Sequence, residues 1–322
     1  MKKFFHSVLG TLALSVAGAL PALASSFPEK PIRFVVPNTA GSATDQLARA
    51  VGQTVQQRTG QAVVVDNKAG ANGVVAAEFV AKAAPDGYTV LIGNVTTNAA
   101  NPFLFKKLPY SADKDFTAVS GLGRGYQVMV VKNDFPAKSV KDFIAMAKTN
   151  PDKYSFGSGG ASALVATEAF AKQAGIKMLH VPYKGNPPAL TDLMAGQITT
   201  LFTDMTTALP LVKSGKVKAL AVTSKARSPY LPEVPSMEEE GLRGYLAGYW
   251  FAAYVPAGTP ADIIATLNAL IVQGVKSEGA AAFFKQVGME AFATTPDEMR
   301  EFNKVELVNW SQSIKAAGIE PE

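Results

Sequence analysis

From residue 30 onward, short apolar, β-branched runs alternate with stretches whose apolar positions recur at helical spacing. Residues 32–36 form the first such run, followed by a loop of Gly, Ser and Thr and an amphipathic stretch over 45–58. A second run at 62–66, a loop at 67–73, an alanine-rich helix at 74–83 and a strand at 88–93 continue the pattern. It restarts with strands at 127–131, 154–157, 178–181, 198–202 and 217–222, separated by helices at 139–148, 163–174, 187–195 and 207–213. Strands alternating with helices predict βαβ units and open, mostly parallel sheets. Three helices close the chain, at 260–276, 279–287 and 296–316. Two of these begin with proline near the first helical position, in Thr259-Pro260-Ala261-Asp262 and Thr295-Pro296-Asp297-Glu298. Two α/β sets, each with a glycine- and hydroxyl-rich strand-to-helix loop, predict two similar lobes. The prolines at 229, 232 and 235 make the stretch between them a rigid crossover.

The N-terminus has a different pattern. Lys2-Lys3, an apolar run over 8–20 and Ala22-Leu23-Ala24 form the positive, apolar and small-x-small regions of a signal peptide, cleaved after Ala24. The run is too short to span a bilayer and is broken by Gly18 and Pro21. Cleavage removes Lys2, Lys3 and His6, so His180 is the one histidine of the mature chain and the net charge of +5 falls. No basic stripe remains, which excludes a nucleic-acid partner. The 322 residues are 48% hydrophobic and contain no cysteine, so thiol nucleophiles, disulfides and thiolate metal sites are excluded. The spacing of Asp and Glu marks no carboxylate pair or metal cluster. The expectation is a binding protein that uses neither cofactor nor metal, not an enzyme.

The candidate chemistry lies in the strand-to-helix loops. In the first lobe Asn38, Thr39, Ala40, Gly41, Ser42, Thr44 and Asp45 occupy such a loop; in the second, Ser158, Gly159, Gly160, Ala161 and Ser162 occupy the equivalent one. Free N–H groups and the positive end of the helix dipole make this position an anion site, and small residues admit a ligand to the backbone. The same residue types also cap helices, and Asp45 suits that role. Thr96, Thr97 and Asn98 follow a strand and can face the cleft. Asp204, just past the strand ending at Phe202, either caps the next helix or meets a donor on a ligand. Lys68 reads as a solvated loop lysine, and His180 as a hydrogen-bonded structural histidine. An exported enzyme using Asp204 and His180 lacks any nucleophile–base pair or G-x-S-x-G elbow to support it.

Several segments together resemble one family. Lys30-Pro31-Ile32-Arg33 with Val35-Val36-Pro37, Val63-Val64-Val65-Asp66-Asn67-Lys68-Ala69-Gly70-Ala71 and Ala83-Ala84-Pro85-Asp86-Gly87-Tyr88-Thr89 carry the likeness early. His180-Val181-Pro182-Tyr183-Lys184-Gly185, Val234-Pro235-Ser236 and Pro256-Ala257-Gly258-Thr259-Pro260 continue it in order. The chain is similar to the Bug-type periplasmic solute-binding proteins of tripartite tricarboxylate transporters. The resemblance implies a two-lobed Venus flytrap, with residues 25–124 and 225–322 in lobe 1 and 125–224 in lobe 2. It implies capture of a small organic carboxylate by the loops named above, in a monomeric periplasmic protein. Delivery goes to a membrane permease or, alternatively, the loaded protein signals to a membrane sensor. The chain departs from the family in the first loop, where an aromatic residue and Pro-Gly-Gly give way to Asn38 and Ala40-Gly41-Ser42. Its second loop is about two residues shorter, Leu164 stands where a histidine is common, and Asn98 does likewise. The resemblance therefore implies carboxylate capture with an atypical ligand.

Overall fold

The computed structural model describes residues 27–151 and 153–322. The signal-peptide segment lies outside them. Among the described residues, no helix is long and apolar enough to cross a membrane.

The first lobe is built on β1 (Ile32–Val36), β2 (Val63–Asn67) and β3 (Thr89–Asn94), with β1 parallel to both neighbours. In β1 every side chain except Arg33 is buried, as expected for a strand covered on both faces. The cover comes from α1 (Ala43–Thr59) and α2 (Val74–Ala81), with α8 (Ala261–Val275) packed on α1. Beyond β3 the pairing turns antiparallel, first to β9 (Gly248–Pro256) and then to β4 (Phe116–Lys132), whose outer edge carries the two-residue β10 (Glu290–Ala291).

The 17-residue β4 serves both lobes. Over Phe116–Tyr126 it pairs with β9; from Gln127 onward it pairs with β7 (Thr200–Asp204) on one side and β8 (Val217–Val222) on the other. The second sheet then continues from β7 through β5 (Ser155–Ser158) to β6 (Leu179–Pro182), all parallel. Both sheets are thus parallel in their outer strands and antiparallel where the chain crosses between lobes. Helices α4 (Val140–Thr149), α5 (Ala161–Ala174), α6 (Asn186–Ala195) and α7 (Met205–Lys213) flank the second sheet.

Thr223, just past β8, ties the crossing strands together. Its hydroxyl accepts from the Gln127 amide at 2.8 Å and donates to the Ala247 carbonyl at 2.6 Å. Its own amide donates to the Gln127 carbonyl at 2.9 Å. Segment 225–247 turns back onto the second lobe: Met237, Leu242 and Tyr245 share a core with Phe143, Phe170 and Phe202. The first lobe has its own core, centred on β1, β3 and β9, which also takes in Ala161 and Val165 of α5. Helices α9 (Glu278–Val287) and α10 (Pro296–Ala317) complete that lobe, and Thr295 and Glu298 form a reciprocal capping box at the start of α10.

The first half of β4 and the whole of β9 are absent from the hydrophobic pattern read from sequence. The first half of β4 carries Gly121, Gly123 and Gly125, which interrupt its alternation. These glycines admit close neighbours: a Cβ at Gly121 would collide with the Phe292 carbonyl, and one at Gly123 with the Met289 side chain. β9 is a nearly continuous buried run instead of an alternating one. Gly121→Ala should therefore destabilise the protein by about 1–3 kcal/mol, as overpacking against backbone does. The midpoint of urea unfolding checks this, and an unchanged midpoint would refute the tight approach.

Candidate functional site

The loop leaving β1 is held from within. Ser42 caps α1 by accepting from the Asp45 amide at 3.3 Å, while Asp45 accepts from the Gly41 amide at 2.9 Å. Arg49, one turn on, donates to both Asp45 oxygens at 2.9–3.2 Å. Burial pushes the Asp45 carboxyl up, but hydrogen bonds from Arg49 and Gly41 outweigh it and hold the group below the usual carboxylate range. The acid is therefore spent on shaping the loop. Asn38 extends from the same loop and accepts from Thr44 Oγ1 (3.1 Å) and Asn94 Nδ2 (3.0 Å). Its own Nδ2 reaches across to the Gly159 carbonyl of the second lobe at 3.5 Å. Asn94, the last residue of β3, in turn accepts from the amides of Thr96 and Thr97.

The second lobe contributes a helix start of different character. Gly160 precedes α5, and no side chain caps the helix. A free helix N-terminus presents unsatisfied N–H groups and positive potential. The first of these amides, Ala161, donates across the cleft to Thr96 Oγ1 at 3.1 Å. Gly159 lacks a side chain because Gly185 and Asn186 lie where a Cβ would be. Asp204 caps α7 by accepting from the Thr207 amide (2.8 Å) and also accepts from Asn186 Nδ2 (2.6 Å). Burial drives the Asp204 carboxyl above its ordinary range, against the pull of those hydrogen bonds.

Between these loops and the crossing strands lies a small cavity of about 50 Å3. Asn38, Ser42, Thr44, Asn94 and Thr96 line it from the first lobe; Gly159, Gly160, Ser162, Asn186 and Asp204 line it from the second. Gln127, Tyr249, Trp250 and Phe251 of the crossing strands also line it. No Lys, Arg or His is among the lining residues. Gln127 is 2% exposed, and neither its amide nitrogen nor its oxygen has a hydrogen-bond partner. Buried amides are almost always paired, which sets this one apart from the rest of the core. Asn186 Oδ1 is buried and unpartnered as well.

Of the candidate residues, Asn38, Ser42, Thr44, Gly159, Gly160, Ser162 and Asp204 converge on this cavity. Thr97 lines an adjoining space of about 320 Å3 on the side of Tyr183 and Lys184. Ala161 is buried at the start of α5, and Thr39 lies against Gly185 across the cleft. Ala40 and Gly41 are exposed, while Asn98 is buried and accepts from Thr97 Oγ1 at 2.6 Å. Ser158 turns to His180 instead: its Oγ lies 2.7 Å from Nε2, and the histidine ring stacks on Phe156. Lys68 pairs with Asp66 and lies over the Phe79 ring. Sequence reasoning named Thr96 beside Thr97 and Asn98, but did not single out Asn94, Gln127, Asn186 or Tyr249. Tyr249 lies on β9, which the pattern missed; Gln127 opens the strand read at 127–131, where nothing local shows that its side chain stays unpaired. Among the described residues, no group of His, Asp and Glu could hold a metal ion.

A family model described as "Tripartite tricarboxylate transporter family receptor" matches residues 47–319. Protein BugT of Bordetella pertussis is 34% identical over 315 residues, covering 97% of each chain. Among solved structures, R. palustris Rpa4515 with adipate superposes with a TM-score of 0.89 at 32% identity, covering 92% of this chain and all of that one. The periplasmic binding protein BugD matches with the same TM-score, identity and coverage.

The raised carboxyl of Asp204 gives the site a pH signature. A group that titrates higher when folded lends stability that is complete below its ordinary value of 3.8 and is lost as pH rises through the folded value. Asp204→Asn keeps the cap and removes the buried charge. It should raise Tm at pH 7–8, with each unit of pKa elevation worth about 1.4 kcal/mol, and the gain should vanish towards pH 4. A gain independent of pH, or a loss at neutral pH, would contradict this.

Proposed function

This chain belongs to the tripartite tricarboxylate transporter receptor family, a family of solute-binding receptors, and on that premise we propose that it captures a small organic carboxylate between its lobes. The observation that carries the reading is the unpartnered amide of Gln127, buried at the base of a polar cavity. The uncapped start of α5 across the cavity supplies backbone N–H groups of the kind that bind carboxylates. Ser42, Thr44 and Thr96 add hydroxyls, and Asn38 adds an amide in place of a ring. The residues proposed to touch the ligand directly are Asn38, Ser42, Thr44, Gly159, Gly160, Ala161, Ser162 and Asp204, together with Gln127. Thr39, Ala40, Gly41, Asp45, Thr97, Asn98 and Ser158 act one step removed, by holding the loops. A helix N-terminus and neutral donors stabilise an anion without a permanent counter-charge, so the ligand can leave again.

The lobe boundary is drawn with residues 27–126 and 248–322 in the first lobe and 127–247 in the second. Packing of Met237, Leu242 and Tyr245 on the second core supports assigning 225–247 there. The hinge lies at Gln127 and Ala247, where the two crossing segments are bonded through Thr223. Opening breaks the Asn38–Gly159 and Ala161–Thr96 contacts, and a ligand that replaces them favours the closed form. After export and cleavage behind Ala24, the loaded closed form delivers its solute to a membrane permease. Adipate in the R. palustris relative supports carboxylate as the ligand class.

A thermal-shift series of mono-, di- and tricarboxylates tests the reading. At least one should raise Tm in proportion to ln(1 + [L]/Kd), about 2.7 kcal/mol of stabilisation at 100 times Kd. Gln127→Leu should remove most of that shift while leaving the ligand-free Tm unchanged or higher, because it removes an unpaired buried amide. A wholly unresponsive protein would contradict the proposal.

A further inference from the structure

We infer that the ligand pairs its carboxylate with a hydrogen-bond donor at its other end, as a short hydroxy acid, amino acid or acid amide does, and that the Gln127–Asp204 floor reads this donor. The inference rests on the carboxylate-receptor reading above and adds the chemistry of the ligand's second end.

The register of the second sheet carries the argument. Gln127 and Asp204 are directly opposed residues of the antiparallel β4–β7 pair, so their side chains leave the sheet on one face as neighbours. Both line the same cavity. The acceptors there exceed the donors. Asp204 presents a carboxylate whose two oxygens already take hydrogen bonds from Thr207 and Asn186, so it stands as an acceptor. Asn186, having given its Nδ2 to Asp204, is left with an unpartnered Oδ1. Gln127 adds an unpartnered Oε1, and its Nε2 and the unpartnered Tyr249 hydroxyl are two donors beside three acceptors. A hydroxyl, amide or ammonium on the ligand satisfies such a set. A second ligand carboxylate does not, because it brings only acceptors and a like charge to a site without Lys, Arg or His. The carboxylate belongs at the uncapped start of α5, which lines the same cavity. The two sets of lining residues thus ask for two different chemical groups.

Isothermal titration at pH 7.5 with matched short-chain acids tests this. One arm uses the hydroxy acid, the amino acid and the acid amide; the other uses the dicarboxylate and the unsubstituted monocarboxylate of the same chain length. At least one donor-bearing acid should bind ten-fold or more tightly than both acids of the second arm, and the best of the first arm identifies the donor. In Asp204→Asn, whose folding is checked by circular dichroism and Tm, the preference over the dicarboxylate should narrow at least ten-fold through a gain in dicarboxylate affinity. A dicarboxylate binding as tightly as the donor-bearing acids would overturn the inference and leave the carboxylate reading standing. Binding by none of the acids would overturn both.

Discussion

One strand has to satisfy two sheets. β4 leaves the first lobe paired with β9 and enters the second paired with β7 and β8, and the exchange occurs at Gln127. The backbone there is fully engaged through Thr223, whereas the side chain is buried with no protein partner. An extended backbone that keeps its ladder on both sides can flex between lobes without losing either sheet. The same geometry puts a buried polar amide in the lining of the cavity between them. The proposed hinge and the proposed recognition group thus fall at one residue.

The candidate site has no Lys, Arg or His among its lining residues. Its positive potential comes from the start of a helix and from amides and hydroxyls already oriented by the fold. Such groups lose little freedom on binding and carry less desolvation cost than a buried lysine or arginine. The one acid in the cavity, Asp204, is restrained by α7 and Asn186 and pays for its burial with a raised pKa. Asp45, the other buried acid nearby, follows the opposite course: Arg49 neutralises it, and it serves the loop. Asp45, in the first turn of α1, and Asp204, at the end of β7, thus differ in titration through their partners.

Much of this was legible in the sequence. The outer strands of both lobes, their helices and the two small-residue loops follow from period-2 and helical patterns, and the structure puts those loops face to face. Asn38, Ser42, Gly159 and Asp204 were found because helix starts after strands have recognisable chemistry. What stayed hidden has a physical cause. The crossing strands look irregular because β4 trades side chains for close approach at Gly121 and Gly123, and β9 is buried on both faces. Tyr249 lies on β9 and Gln127 at the first residue of the legible half of β4, so their convergence is a property of tertiary pairing alone. Ser158 has the residue type of a ligand donor, but its hydroxyl turns to His180 on the neighbouring strand, a pairing no local pattern encodes. Asn94 and Asn186 act through side-chain geometry at loop entrances that sequence spacing does not specify.

The central claim is that a carboxylate lies between the start of α5 and an amide reserved for the ligand at the hinge. A crystal structure with the tightest-binding short-chain acid tests it most directly. The account predicts a closed form with ligand carboxylate oxygens within hydrogen-bond distance of the amides at 160–162, and with Gln127 bonded to the ligand or to a water the ligand holds. A ligand located elsewhere, or a Gln127 amide still without a partner in the loaded cleft, would contradict it.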